Sequence, residues 1–213
     1  MPRPLGGYTA QRHIRTTLIT QTFETERLIL RPFTKADGER YYTVYWRIAS
    51  DHSGEHRKAD EHPNPDDIRD ENEYYLGFAN YPFLQPFGRW MMVLKTEQQN
   101  IGVFHLVPQW FTPEVVALCA DLQSHKLRFG AFEIIIGWAL ARPYRGYGYA
   151  TEAARTIIAY GFETLKLQRI MSCTDPDNTA SINVMKKAGM QIISPPDAKQ
   201  VISIIENDHP LKI

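Results

Sequence analysis

One stretch limits the possible folds more than any other. An apolar segment, Phe132 to Leu140, leads into Arg142-Pro143-Tyr144-Arg145-Gly146-Tyr147-Gly148-Tyr149-Ala150-Thr151-Glu152. Beyond it, Ala150, Ala153, Ala154, Ile157, Ile158, Gly161 and Leu165 recur at helical spacing, which predicts a helix from about Tyr149 to Lys166. The succession reads as a strand, a tight loop and a helix. Along the strand Phe132, Ile134, Ile136, Trp138 and Leu140 share one face, and Glu133, Ile135, Gly137 and Ala139 share the other. Both faces are largely apolar, so the strand is central and covered on both sides. Two glycines at the junction let the backbone turn sharply and approach a ligand closely. The free N–H groups of the next helical turn, with the positive end of the helix dipole behind them, then form a pyrophosphate cradle. Arg145 adds a fixed charge beside it.

Known phosphate loops of two other kinds do not fit. The Gly-Lys-Ser/Thr of the Walker pattern is absent, and Thr151 stands where Gly-x-Gly-x-x-Gly needs its third glycine. The pattern Arg-x-x-Gly-x-Ala, here Arg145, Gly148 and Ala150, arises by chance in about one chain in five of this length. Its place between strand and helix gives it weight.

The chain has 213 residues with 43% hydrophobic content, enough for one domain with a real core. Lysine and arginine number 24 and so do aspartate and glutamate, so no broad positive field marks a nucleic-acid ligand. Cys119 and Cys173 lie far apart without metal spacing and read as reduced thiols. The longest apolar runs fall far short of the roughly 20 residues that span a bilayer. The expectation is a soluble, cytoplasmic protein with no membrane partner.

Residues 1–21, rich in Pro, Gly, Thr and Arg, read as a flexible extension, and residues 22–213 as one domain. Strands are expected at Leu28 to Arg31, Trp90 to Lys95, Asn100 to Val107, Arg169 to Thr174 and Val201 to Ile205. Helices are expected from Thr34 to about Ala49 and from about Thr179 to Ala188, the second ending at Gly189. Phe111 to Asp121 is ambiguous, because Pro113 argues against a regular strand. Residues 50–73 carry nine acidic residues, three basic ones and three histidines, a polar insert or a solvated helix pair. The insert holds His52-Ser53-Gly54-Glu55-His56, a literal His-x-x-Glu-His. Gly54 costs about 1 kcal/mol of the helix that such a zinc site needs, so solvated histidines or an acidic lip for a cationic amine stand beside it. Residues 74–90 are dense in aromatics, as a cover for the core or as one wall of a pocket.

These residues resemble the GNAT superfamily of acetyl-CoA-dependent N-acetyltransferases, whose loop reads Arg/Gln-x-x-Gly-x-Gly/Ala. Three further pieces occur in the family's order. Thr25-Glu26-Arg27-Leu28-Ile29-Leu30-Arg31-Pro32 is similar to the first strand of the ribosomal-protein-acetylating (RimJ/RimL-like) branch. Gly137-Trp138-Ala139-Leu140 into Gly148-Tyr149-Ala150-Thr151-Glu152-Ala153 is similar to its central pattern, and Asn178-x-x-Ser181-x-x-Val184-x-x-Lys187-x-Gly189-Met190 to its later one. The likeness covers about residues 23–193.

The resemblance implies an α/β (α+β) fold: a mixed, mostly antiparallel sheet flanked by helices, with splayed central strands. It implies acetyl-CoA as co-substrate and a primary amine as acceptor, either a protein N-terminal α-amine or a small amine, with no metal. It implies a cofactor site at Leu140, Ala141, Arg142, Arg145, Gly146, Tyr147, Gly148, Tyr149, Ala150 and Thr151. Asn178 and Ser181 would face the pantetheine arm or the thioester; otherwise Asn178 caps a helix and Ser181 is a surface hydroxyl. Glu133, the strand's ionisable residue, is either a general base or a strand-end carboxylate. Many relatives place a tyrosine where this chain has Met185, which cannot donate a proton, so Ser181 or a water would serve as the acid. A non-enzymatic acyl-CoA sensor and a metal hydrolase on His52, Glu55 and His56 stand as alternatives, and a homodimer stays open.

Overall fold

In the computed structural model, the described residues are 22–32, 37, 86–111, 131–194 and 199–207. The expected helix from Thr34, the polar insert with His52, Glu55 and His56, the aromatics at 74–85, residues 112–121 and the N-terminal extension lie outside them.

The strands are β1 (Phe23–Glu24), β2 (Leu28–Pro32), β3 (Gly88–Leu94), β4 (Gln99–Phe111), β5 (Ala131–Leu140), β6 (Arg169–Thr174), β7 (Gln191–Ile192) and β8 (Val201–Glu206). Two helices, α1 (Tyr149–Glu163) and α2 (Thr179–Lys187), follow β5 and β6. The sheet has the order β1-β2-β3-β4-β5-β6-β8-β7. Every pairing is antiparallel except β5 with β6. This is the mixed α/β sheet expected from the resemblance.

β4 runs longer than its apolar pattern suggests. Pro108 sits inside it, opposite Ile134 of β5. β3 pairs with β4 only as far as Leu106, so beyond that residue β4 has lost its β3 neighbour and a missing N–H costs little there. The two-residue strands β1 and β7 are too short to show a period.

The two faces of the sheet differ. On one, Leu30, Trp90, Phe104, Leu106, Ile136 and Leu140 pack against the apolar stripe of α1. That stripe is Ala150, Ala153, Ala154, Ile157, Ile158 and Gly161, all buried as the periodicity predicts. Alanines near the start of α1 let the helix lie close to β5. On the other face, Met91, Val93 and Val103 form one apolar group, and Phe111, Ile135, Met171, Ile202 and Ile204 form another.

β5 and β6 register only at Ile135 with Met171. Beyond that point no pairing joins them, and the gap between them is the cleft that organises the site.

Candidate active site

After Leu140 the chain makes a short 3-10 turn, Arg142–Tyr144, and then the glycine loop. Gly146 and Gly148 both take left-handed backbone, at φ 88° and 85°. A side chain at either would be strained, costing about 1–2 kcal/mol. Gly148 is the N-cap of α1 and makes no side-chain cap bond. The Glu152 N–H is the first to turn inward, donating to the Gly148 carbonyl at 3.0 Å. The N–H groups of Tyr149, Ala150 and Thr151 precede it and point out of the helix end.

A clamp from the start of the chain fixes this loop. The Arg27 Nε donates to Glu152 Oε2 at 2.7 Å, and the Arg27 N–H to Glu152 Oε1 at 2.9 Å. Thr25 donates its hydroxyl to the same carboxylate. Arg27 Nη1 reaches the Tyr147 carbonyl at 2.9 Å, and its guanidinium lies 4.6 Å from the centre of the Tyr149 ring. Burial alone would raise the Glu152 carboxyl, but the bonds from Thr25 and Arg27 outweigh it and hold the group below its usual range.

The loop opens into a cavity of about 250 Å³ lined by Leu140, Arg145, Gly148, Thr151, Ser181 and Lys187, among others. Arg145 is oriented by donating from Nε to the Leu140 carbonyl at 2.9 Å. A second cavity, of about 500 Å³, fills the gap between β5 and β6. His105, Gly137, Cys173, Thr174, Asn178 and Met185 help to line it. Trp138 and Ser181 line both, so the two form one cleft along β5.

The backbone of β5 also contributes. The Ala141 N–H donates to the Ile101 carbonyl at 2.9 Å, and its own carbonyl accepts from Tyr144. Both groups of Ala141 are therefore committed within the chain. Hydrogen-bonding sides alternate along a strand. Gly137 and Ala139 accordingly turn their backbone groups to β4, while Trp138 and Leu140 turn theirs toward the gap.

Most of the expected cofactor residues converge: Leu140, Arg145, Gly146, Gly148, Tyr149, Ala150 and Thr151 line the smaller cavity. Arg142 and Tyr147 are exposed at its rim, outside the lining, and Tyr147 stacks on Tyr149 with ring centres 5.9 Å apart. Asn178 lines the larger cavity and also caps α2, its Oδ1 accepting from the Ser181 N–H at 3.1 Å. Glu133 lines neither cavity. Its carboxylate is held by Arg169, with Nε at 3.2 Å from Oε2 and Nη2 against Oε1. Met185, where the resemblance leads one to expect a tyrosine, is fully buried.

His105 and Thr174 line the cleft without any local signal, whereas Lys187 belongs to the pattern that runs from Asn178 to Met190. His105 reaches the cleft through its register opposite Gly137. Burial, and then the Arg89 charge, push its imidazole down to about 4. Arg89 lies next to it across β3 and is itself lowered to about 9 by burial. Lys187 ends α2, and its carbonyl accepts from Arg155 Nη2 at 2.6 Å, which ties α2 to α1.

Among the described residues, no three His, Cys, Asp or Glu side chains gather as metal ligands, and no helix is long and apolar enough to cross a membrane.

A glycine-capped helix start beside a parted pair of strands defines a class. Residues 27–191 match the family described as acetyltransferase (GNAT) domain, and the chain belongs to that enzyme family. The chain is 44% identical over 63 residues to "Uncharacterized N-acetyltransferase YnaD" of Bacillus subtilis (strain 168), covering 30% of this chain and 37% of that one. It is 33% identical over 69 residues to the spermidine N(1)-acetyltransferase of Escherichia coli (strain K12), covering 32% and 35%. The matched stretches thus span about a third of each relative's length. An acetyltransferase structure from Agrobacterium tumefaciens str. C58 shares the fold, with a TM-score of 0.64, 23% identity and coverage of 88% of this chain and 95% of that one.

Proposed function

We propose that the protein moves an acetyl group from acetyl-CoA to a primary amine by direct transfer. The observation that carries this reading is the start of α1. Unbonded helix N–H groups, two left-handed glycines and Arg145 face one cavity, which runs on into the gap between β5 and β6. A pyrophosphate suits the first part, by helix dipole and by charge. A narrow polar arm suits the gap, where the Trp138 backbone and the Leu140 N–H offer strand-like pairing, the Leu140 carbonyl being taken by Arg145. A backbone N–H of this edge also suits the carbonyl oxygen as it gains charge.

The acceptor must present a lone pair. A lysine amine with pKa near 10.4 is under about 0.1% neutral at pH 7, while an α-amine near 7.7–8.0 is about a tenth neutral. An α-amine therefore asks far less of the site. The first-strand likeness to the RimJ/RimL-like branch favours a protein N-terminus, and the relative named for spermidine favours a small amine. The leaving thiolate, with a pKa near 8.5 on the cysteine scale, needs little help, and Ser181 or water suffices to protonate it. Glu133 as general base would require its carboxylate to leave Arg169.

The test is thiol release from acetyl-CoA with a panel of peptide α-amines and polyamines, with the product mass measured. One amine gaining the mass of an acetyl group in place of a proton supports the reading; a panel with no acetylated product counts against it.

A further inference from the structure

On the sheet face opposite α1, the two apolar groups are separated by one polar row. Arg89 of β3, His105 of β4 and Gly137 of β5 stand side by side in register. Arg89 is 4% exposed. The imidazole lies flat against Gly137: a Cβ there would stand 2.2 Å from its Cε1 and 2.3 Å from its Nε2. Residue 137 therefore has no room for a side chain, and the ring takes that space. Its other side faces the 500 Å³ cavity beside Trp138, Asn178 and Ser181. An aliphatic side chain would fill this place without the cost of burying a polar ring next to a guanidinium. That a histidine stands there argues for chemistry.

We infer that His105 takes the proton released by the acceptor nitrogen once that nitrogen has attacked the thioester. The inference rests on the acetyl-transfer reading above. The nitrogen lone pair forms the N–C bond, the C–S bond breaks, and sulfur leaves as thiolate. Nitrogen then holds one proton too many, which passes to a ring nitrogen of His105 and on to the thiolate or to water. Amine and thioester thus become amide and thiol.

The timing follows from the base strength. A ring with pKa about 4 is weaker than an α-amine by about four units, so taking a proton from a free ammonium is unfavourable by about 10⁴-fold. A nitrogen that has begun to form an amide is far more acidic. The amine must therefore arrive neutral, and His105 acts after attack. Among the described residues, the charged or titratable groups on this face are Arg89 from β3, the Arg31–Asp37 pair at β2, Cys173 from β6 and the Glu133–Arg169 pair with Glu206 toward the start of β5 and the end of β8. Burial and Asp175 keep the Cys173 thiol protonated, and burial with the Arg89 charge beside it disfavours the imidazolium of His105.

The experiment compares wild type with His105→Gln. The probes are an alanine-initiated peptide and spermidine. Calorimetry should give both proteins the same affinity for acetyl-CoA, which also shows that the variant is folded. kcat should fall about 100-fold or more in the variant. The acid limb of wild-type kcat/KM should move with the pKa of whichever amine is used. A variant kcat within about twofold of wild type overturns the assignment, and so does an acid limb fixed near 6.5 for both amines. If neither amine turns over, NMR titration of the ring in the acetyl-CoA complex decides. A value below about 5 supports the assignment and one near 6.5 overturns it. Failure of the wild type to bind acetyl-CoA at all would instead strike the acetyl-transfer reading.

Discussion

The two halves of the cleft are built in different ways. The donor half is a local construction: Leu140 to Glu152 turns, caps and opens within a single short stretch. One distant strap, Thr25 to Arg27, holds it in place. The other half, around the gap between β5 and β6, is assembled by register. Arg89, His105 and Gly137 are each ordinary in sequence and meet only because β3, β4 and β5 pair as they do. A half built locally should fail by losing its ligand. A half built by register should fail by losing the reaction while the ligand still binds.

The strongest way to break this contrast is at Gly137. Gly137→Val puts a branched side chain where the His105 ring lies. Overpacking of this kind costs about 1–3 kcal/mol, and the ring must move. Amine turnover should drop by about 100-fold or more, whereas acetyl-CoA affinity, read by calorimetry, should stay within about threefold. Equal loss of both would merge the two halves into one.

Arg27→Ala tests the donor half at its strap. It removes the side-chain bonds to Glu152 and Tyr147, keeps the backbone N–H bond to Glu152, and leaves every lining residue in place. The expected result is about tenfold weaker acetyl-CoA binding, in line with one charge-assisted bond, with kcat at saturating acetyl-CoA within about threefold of wild type. Arg27→Lys should recover part of the affinity.

The smallest effect is on stability against pH, where the halves should separate by window. His105 is held below its usual pKa, so between about 6.5 and 4 the unfolded chain binds more protons than the folded one. Stability is therefore lost as pH falls through that range, by about 3 kcal/mol. Glu152 is also depressed, so its contribution is present above about 4.5 and is lost as pH falls below it. Thermal melts from about pH 7 to 3 should show His105→Gln flattening the upper part of the decline and Glu152→Gln the lower part. Identical curves for the two variants would contradict the separation.

Legibility in the sequence follows the same division. The loop, both described helices and β6 were readable to within a few residues, because each depends on local spacing, a cap or a glycine. That most of the loop residues would gather around one cavity was readable for the same reason. The cleft was expected only through the family resemblance, as splayed central strands: that β5 and β6 part after Ile135 is a fact of pairing, which no window of one strand carries. His105 lay unread within an apolar strand. Glu133 drew notice as the carboxylate of its strand, yet Arg169, 36 residues later, holds it. Pro108 would have argued against the last third of β4 had the loss of the β3 neighbour been known.

The measurement that bears most directly on the central claim is acetyl-CoA binding by calorimetry to wild type and Gly148→Glu. Gly148 sits at φ 85° with its missing Cβ aimed toward Arg27, so a glutamate there strains the cap and puts a negative charge beside the phosphate site. Binding by the wild type that falls at least about 100-fold in the variant is the predicted result. Equal binding by both proteins would contradict the claim that the start of α1 is the cofactor's seat.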